Sequence, residues 1–283
     1  MATVAPTVAL LLVLTVLPVL NLIALSFNDV AWLEGTARWT WVGTHHYAAL
    51  PADQLFIGGV FNTIVFALSA VVGQIILGFV LALLVSRTLR GRVFYRAIFL
   101  LPILVPGIVI GAMWKLMYNF DFGVINQLAT MVAIAPRDWL GGAATALLAV
   151  IFVDIWHWTP FCFLLLLTGL ESLPQDVYEA ARVDGATWWQ ELWHVTLPLM
   201  LPTILVTLVF RLIVAFKVFD EVYLLTGGGP GMATEVLSFT IYRRFFTEDR
   251  VGYGSAVSVV ALSGITLLIV LALAATRRQS EDG

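Results

Sequence analysis

Six stretches of this chain stay apolar for about twenty residues or more, and nothing else in it limits the fold so tightly. They run roughly over residues 7–27, 60–86, 95–118, 143–168, 198–221 and 255–276. A helix needs about 20 mostly apolar residues to cross the hydrocarbon layer. A backbone in lipid must satisfy its own hydrogen bonds, so each stretch is predicted to be a helix. Hydrophobic residues make up 60% of the chain and charged ones 12%, with a mean hydropathy of +0.96. A soluble domain carries about 25% charged residues. The expectation is an all-α membrane protein with six transmembrane helices, one domain over residues 1–283. The first stretch, PTVALLLVLTVLPVLNLIALSF, lacks basic residues before it and exceeds a normal signal core, so it is read as an uncleaved span. A longer cytoplasmic tail ahead of it is left open.

Basic residues set the orientation. The segment RTLRGRVFYR (87–96) has four arginines, the 169–197 loop has Arg182, and the C-terminal tail has Arg277 and Arg278. The alternate loops hold Arg38, Arg137, Arg243, Arg244 and Arg250 over many more residues. The denser set is placed in the cytoplasm, with both termini and the 169–197 loop. A net charge of −3 suggests neither a nucleic-acid partner nor a membrane-surface role. The single cysteine, Cys162, sits in an apolar run and reads as a buried structural thiol. The only lysines, Lys115 and Lys217, do not follow a phosphate-loop pattern. Any ATP must therefore be bound by another chain.

One polar segment interrupts the apolar pattern: SLPQDVYEAARVDGATWWQELWHVTLPLMLP. Ser172 and Gln175 fit a capping box, with Pro174 in the first turn of a short helix ending near Val183. Gly185 stands where a left-handed residue is wanted, and Thr187 with Gln190 repeats the cap for a second helix through His194. Pro198 and Pro202 are read as the entry to the fifth span. Helices this short do not hold alone in water, so they pack on their own bundle or dock to a partner.

The spacing EAA, three residues, Gly, nine residues, Val-Thr-Leu-Pro resembles the EAA loop of bacterial ABC-importer permeases. Glu179, Ala180, Ala181, Gly185, Leu197 and Pro198 match that pattern, and Val195 replaces isoleucine. The longer form YEAARVDGA, which adds Tyr178, Asp184 and Ala186, is similar to the carbohydrate-importer branch of the maltose, lactose and glycerol-phosphate type. So are WVGTHHYAAL (41–50, with His46 in place of the usual Asn), the third and fourth spans, and FKVFDEVYLLTGGGPGMATEVLSFTIYRRFF (216–246). The resemblance covers nearly the whole chain. It implies the type I importer permease fold of the bacterial or archaeal inner membrane, with no catalytic residues and no cofactor of its own. Its implied partners are a homologous second permease, two ATP-binding cassette subunits, an extracytoplasmic solute-binding protein, a sugar substrate and membrane lipid. Tyr178–Ala181 and Asp184–Ala186 would couple to the ATPases. The glycine-rich TGGGPG loop (226–231), read as a flexible turn, would lie where the binding protein docks.

Charges inside a membrane call for a partner or a watery cavity. Counting residues puts Asp154 on the fourth span and Arg211 on the fifth at a similar depth, which predicts that they pair or share a cavity. Asp154, Trp156, His157, Trp158 and Thr159 form a polar-aromatic cluster suited to a sugar path, although Trp also serves as an interfacial anchor. Arg211 is a further path candidate, and Asn62, Gln74, Phe216, Phe219 and Tyr223 are weaker ones, for each of which bundle packing is the competing role. Lys115, Lys217 and Asp220 are placed near the outer boundary, where they can snorkel. His157 has no second ligand at metal spacing, so no metal site is expected. The rival reading is a secondary transporter driven by protons through Asp154 and His157. An intramembrane hydrolase lacks any nucleophile–base motif.

Overall fold

The computed structural model describes residues 5–33, 36–87 and 92–281. The first apolar stretch forms α1 (Ala5–Ser26). A hairpin follows, β1 (Asn28–Leu33) antiparallel to β2 (Thr36–Trp41), with Asn28 opposite Trp41 and Leu33 opposite Thr36. The molecule is therefore mostly helical rather than all-α. Val30, Trp32, Trp39, Thr40 and Trp41 favour strands, and here the chain has left the long apolar run that imposes a helix. A short α2 (His45–Ala49) leads to α3 (Gln54–Arg87), the longest helix at 34 residues. Residues 88–91, in the middle of the arginine-rich segment used to orient the chain, lie outside the described residues.

The third apolar stretch is not one straight helix. It divides into α4 (Arg92–Leu100), a tight turn over Pro102–Leu104, and α5 (Gly107–Met117). The two arms meet at 98°. Pro102 and Pro106 lack N–H donors, and the break falls ahead of Pro106, where Val105 is extended at ψ 128°, whereas Leu101 before Pro102 stays helical. The small α6 (Val124–Met131) precedes α7 (Ala143–Glu171), which runs unbroken past Pro160.

The elbow consists of α8 (Gln175–Val183) and α9 (Trp188–Glu191). Gly185 has φ +80°, as its place at the corner requires. Gln190 Oε1 accepts from the Thr187 N–H at 2.7 Å, and the Thr187 side chain faces the Gln190 backbone in return, so the predicted capping box of the second helix forms. The first predicted cap is absent: the Ser172 hydroxyl turns back to the Gly169 carbonyl at 2.7 Å and closes α7, and Pro174 takes the cap position of α8. Nor is there a break before the fifth span. A wide turn over Leu192–Thr196 joins α9 directly to α10 (Leu197–Ala215), giving one continuous helix from Trp188 to Ala215. The Leu197 N–H reaches back five residues to the Leu192 carbonyl, and this slack lets the helix pass Pro198. The fifth span also ends before residue 221. After Ala215 the chain turns into α11 (Asp220–Leu225), then α12 (Leu237–Tyr242) and α13 (Val251–Glu281).

Among the described residues, four helices are long and apolar enough to cross a membrane unbroken: Gln54–Ser86, Ala143–Glu171, Trp188–Ala215 and Val251–Leu271. The bent pair makes a fifth, and α1 contributes a shorter apolar helix over Leu10–Ser26. Of the six expected spans, four are unbroken helices among the described residues, the third is a bent pair and the first is a shorter apolar helix. The centre of the bundle is α3 against α7, with α10 packed on both, α1 on α13, and α5 on α11. Gly78 makes the α3–α7 approach possible: a Cβ there would come 2.9 Å from both Cys162 Cβ and the Phe163 amide nitrogen. Cys162 is free and buried in this seam, as expected.

Candidate functional site

Four helices bring five polar side chains together in the middle of the bundle. Arg211 of α10 and Asp154 of α7 form an ion pair at 3.2 Å, the partnership that their matching depth predicts. Both are buried, Arg211 completely. Gln74 of α3 completes the pair: its Nε2 donates to Asp154 Oδ2 at 2.6 Å and to the Asp154 carbonyl at 3.0 Å, while its Oε1 accepts from Arg211 Nε at 2.7 Å. The Trp158 ring covers the guanidinium at 4.3 Å. One turn along α7, His157 Nδ1 lies 3.2 Å from Oε1 of Glu221 on α11, and both are buried. Burial of so many charges is tolerable only because each is paired or hydrogen-bonded.

Beside this cluster is a cavity of about 260 Å³. Asp154, His157 and Trp158 line one wall; Lys217, Phe219, Asp220 and Glu221 line the other, and Gly107 closes an end. The 98° bend in the third stretch makes that end. It sets the start of α5 against α11, where a Cβ on Gly107 would meet Asp220 Oδ2 at 2.9 Å. A larger cavity of about 510 Å³ lies between α5, α6 and α7, but Thr145 and the Trp and Tyr polar atoms are the only polar groups in its lining and no charged residue reaches it. The smaller one holds the chemistry.

Of the candidate path residues, Asp154, His157 and Phe219 meet at the cavity, with Arg211 directly behind Asp154. Trp156 does not. It lies two residues, about 200° of helix rotation, from Asp154, and packs edge-on to Trp114 at 5.5 Å. Phe216 packs against the apolar core. Tyr223 stacks on Phe219 at 5.4 Å, in an aromatic group that includes Phe239 and Tyr242. Asn62 donates to the carbonyls of Met232 and Glu235 and so tethers the 226–235 loop. That loop is internally bonded: the Thr226 and Thr234 hydroxyls meet at 2.6 Å, and the Thr234 hydroxyl donates to the Gly229 carbonyl at 2.8 Å. Sequence reading missed Glu221 altogether and undervalued Gln74. The acidic pair Asp220-Glu221 just past an apolar span was a usable signal for the first.

The elbow is braced on one side and open on the other. The Tyr178 hydroxyl donates to Thr196 Oγ1 at 3.0 Å, and Arg182 Nε donates to the buried carboxylate of Glu191 at 3.0 Å, tying α8 to the base of α10. The Ala186 N–H closes the corner on the Ala181 carbonyl at 2.9 Å. Glu179, Ala180, Val183, Asp184 and Gly185 are exposed; Tyr178, Ala181 and Ala186 are half-buried. A second ion-pair network lies at the other end of the bundle. Asp53 accepts from Arg244 Nη2 at 2.7 and 2.8 Å and from the Tyr253 hydroxyl at 2.7 Å, and Arg243 pairs with the buried Glu235 at 3.0 Å. Burial pushes the Asp53 carboxyl up, but the hydrogen bonds from Tyr253 and Arg244 outweigh it and hold the group below its ordinary range.

Residues 74–280 match the family described as binding-protein-dependent transport system inner membrane component. The chain belongs to that family. The permease is 38% identical over 267 residues to the trehalose/maltose transport system permease protein MalF of Thermococcus litoralis, covering 94% of this chain and 88% of that one. It is 30% identical over 252 residues to the multiple sugar-binding transport system permease protein MsmF of Streptococcus mutans, covering 89% and 87%. Among solved structures, it superposes on a chain of a bacterial ABC transporter involved in the import of the acidic polysaccharide alginate. The TM-score is 0.84 at 25% identity, with 98% of this chain and 94% of that one covered. These likenesses lie in the carbohydrate-uptake branch of ABC-importer permeases. A permease of this family is a non-catalytic, multi-pass component of the inner membrane and works in a complex with a binding protein and ATPase subunits. Membership sets aside a proton-driven secondary transporter built on Asp154 and His157.

Proposed function

We propose that this chain forms one half of the translocation path of an ATP-driven sugar importer whose cargo is an oligosaccharide or a related polyol or glycerol-phosphate compound. Its sister half is a homologous second permease. It spans the membrane six times, with α1 as the first span and the bent α4–α5 pair as the third, and both termini face the cytoplasm. Two ATP-binding cassette subunits drive it, one of them gripping the exposed face of α8 and α9 through Glu179, Ala180, Asp184 and Gly185. The binding protein delivers cargo at the opposite end, near the 226–235 loop and the Asp53–Arg244 network. The carbohydrate relatives support the cargo class, and the polar-aromatic cavity beside Asp154 suits a hydroxyl-bearing molecule.

One observation carries the mechanism: the elbow is tied to α10 by Tyr178 and Arg182 yet bare on its outer face. Because α9 and α10 are a single helix, a push on the elbow tilts the fifth span, and Arg211 and the cavity wall move with it. The bundle then alternates between two packings as the ATPases close. Gly185→Trp tests this. A Cβ at Gly185 meets nothing within 4 Å, so the indole projects into open space and the fold bears only the strain of a left-handed non-glycine, about 1–2 kcal/mol. The variant is expected to insert normally and to lose both uptake and stimulation of ATP hydrolysis by loaded binding protein. Wild-type uptake in this variant would refute the coupling role.

A further inference from the structure

The charge around the cavity has a direction. Three carboxylates line it, from Asp154, Asp220 and Glu221, against one lysine, Lys217, and one histidine, His157. The strong cation next to it is fully buried and its charge is matched by Asp154. Arg211 Nε and Nη2 are engaged by Gln74 and Asp154 and Trp158 covers its face, while Nη1 is buried without a hydrogen-bond partner. A second source of positive potential, the N-terminus of the eleven-residue α5, is also taken: the Asp220 carboxylate lies against its first residue, Gly107. Every cationic element facing this space except Lys217 and His157 is already neutralised from within, and His157 is itself held by Glu221. An anion entering here would meet three carboxylates in the cavity wall against one lysine and one histidine, and like charges repel more in such a wall than in water. A neutral polyhydroxylated molecule would meet acceptors for its hydroxyls and the faces of Trp158 and Phe219 for its C–H surface.

We propose that this cavity admits uncharged, hydroxyl-rich cargo and rejects phosphate- or carboxylate-bearing cargo, with Asp220 and Glu221 as the specificity-determining groups. This rests on the reading of the cavity as part of the sugar path, and it narrows that reading by removing glycerol phosphates and acidic sugars. The fold does not decide the matter, since a solved relative belongs to an importer of an acidic polysaccharide.

The test uses the assembled importer in detergent and reads the cavity directly. Val214 lines it, so Val214→Cys places a thiol there, while the native Cys162 stays buried as an internal control. The thiol is treated with a cationic trimethylammonium methanethiosulfonate and with its anionic sulfonate counterpart, each rate divided by the rate with free mercaptoethanol. The expected result is at least a tenfold preference for the cation, falling severalfold in Val214→Cys/Glu221→Gln and again when Asp220→Asn is added. Equal normalised rates, a preference for the sulfonate, or a thiol that neither reagent reaches overturns the proposal. Uptake in proteoliposomes supplies the second arm, with a neutral oligosaccharide and its phosphorylated form. Transport of both at similar rates overturns charge rejection and leaves the sugar importer standing. Transport of neither, with the labelling preference intact, removes the sugar reading and leaves the charge rule.

Discussion

The Asp154–Arg211 pair offers the sharpest energetic test of the bundle. At 3.2 Å, with an effective dielectric near 20, the Coulomb attraction is about 5 kcal/mol. Asp154→Asn keeps the side-chain volume and an oxygen for Gln74 but removes the charge opposite a guanidinium that has no exposed surface. Breaking a buried pair from one side costs about 3–5 kcal/mol. For a chain of this size that lowers the thermal midpoint by roughly 6–10 °C. Asp154→Asn/Arg211→Met removes the stranded charge as well. What remains is mainly the Gln74 Oε1 left without its donor, about 1–3 kcal/mol. The double variant is therefore expected to melt above the Asp154→Asn single variant, with a coupling energy of about 2 kcal/mol or more. The assay is the thermal midpoint of the detergent-solubilised importer followed by tryptophan fluorescence, for which Trp158 over the guanidinium is a local reporter. If the losses of the two single variants simply add, to within about 0.5 kcal/mol, the pair is not the electrostatic unit described.

Other expectations concern separate parts of the molecule. Gly78→Leu forces a side chain into Cys162 and the Phe163 backbone and should destabilise the α3–α7 seam by about 1–3 kcal/mol, seen as a lower melting midpoint; an unchanged midpoint would mean the seam is looser than drawn. Tyr178→Phe loses the bond to Thr196, worth about 0.5–1.5 kcal/mol, and should reduce coupled ATP hydrolysis while basal hydrolysis persists. The Asp53 carboxyl is held below the ordinary aspartate range, so its contribution to stability is complete above that range and lost as pH falls through the lower folded value. Melting of the importer should therefore fall on acidification below about pH 4, and Asp53→Asn should remove part of that dependence. Cys162 should resist maleimide in the folded importer and react only after denaturation.

Features that depend on one coordinate were legible from residue order. Apolar length set which segments become helices, with α3, α7, α10 and α13 close to their expected positions. Counting residues gave depth, and depth alone was enough to pair Asp154 with Arg211 across 57 positions. Local turn chemistry placed Gly185 at the corner of the elbow and Gln190 in its cap. Trp156 was misplaced for want of a second coordinate, the angle around the helix, which the sequence does contain.

What only the tertiary structure decided is which faces meet. Gln74 became the bridge of the buried pair because α3 lies between α7 and α10, and Glu221 met His157 because the chain turns after Ala215 to form α11. The bend between α4 and α5 follows the same logic. Two prolines allow it, but Pro160 and Pro202 sit inside unbroken helices, so prolines alone do not dictate a corner. A bend persists where a neighbour such as α11 packs into it, and the identity of that neighbour is a property of the packed bundle, not of any local run of residues.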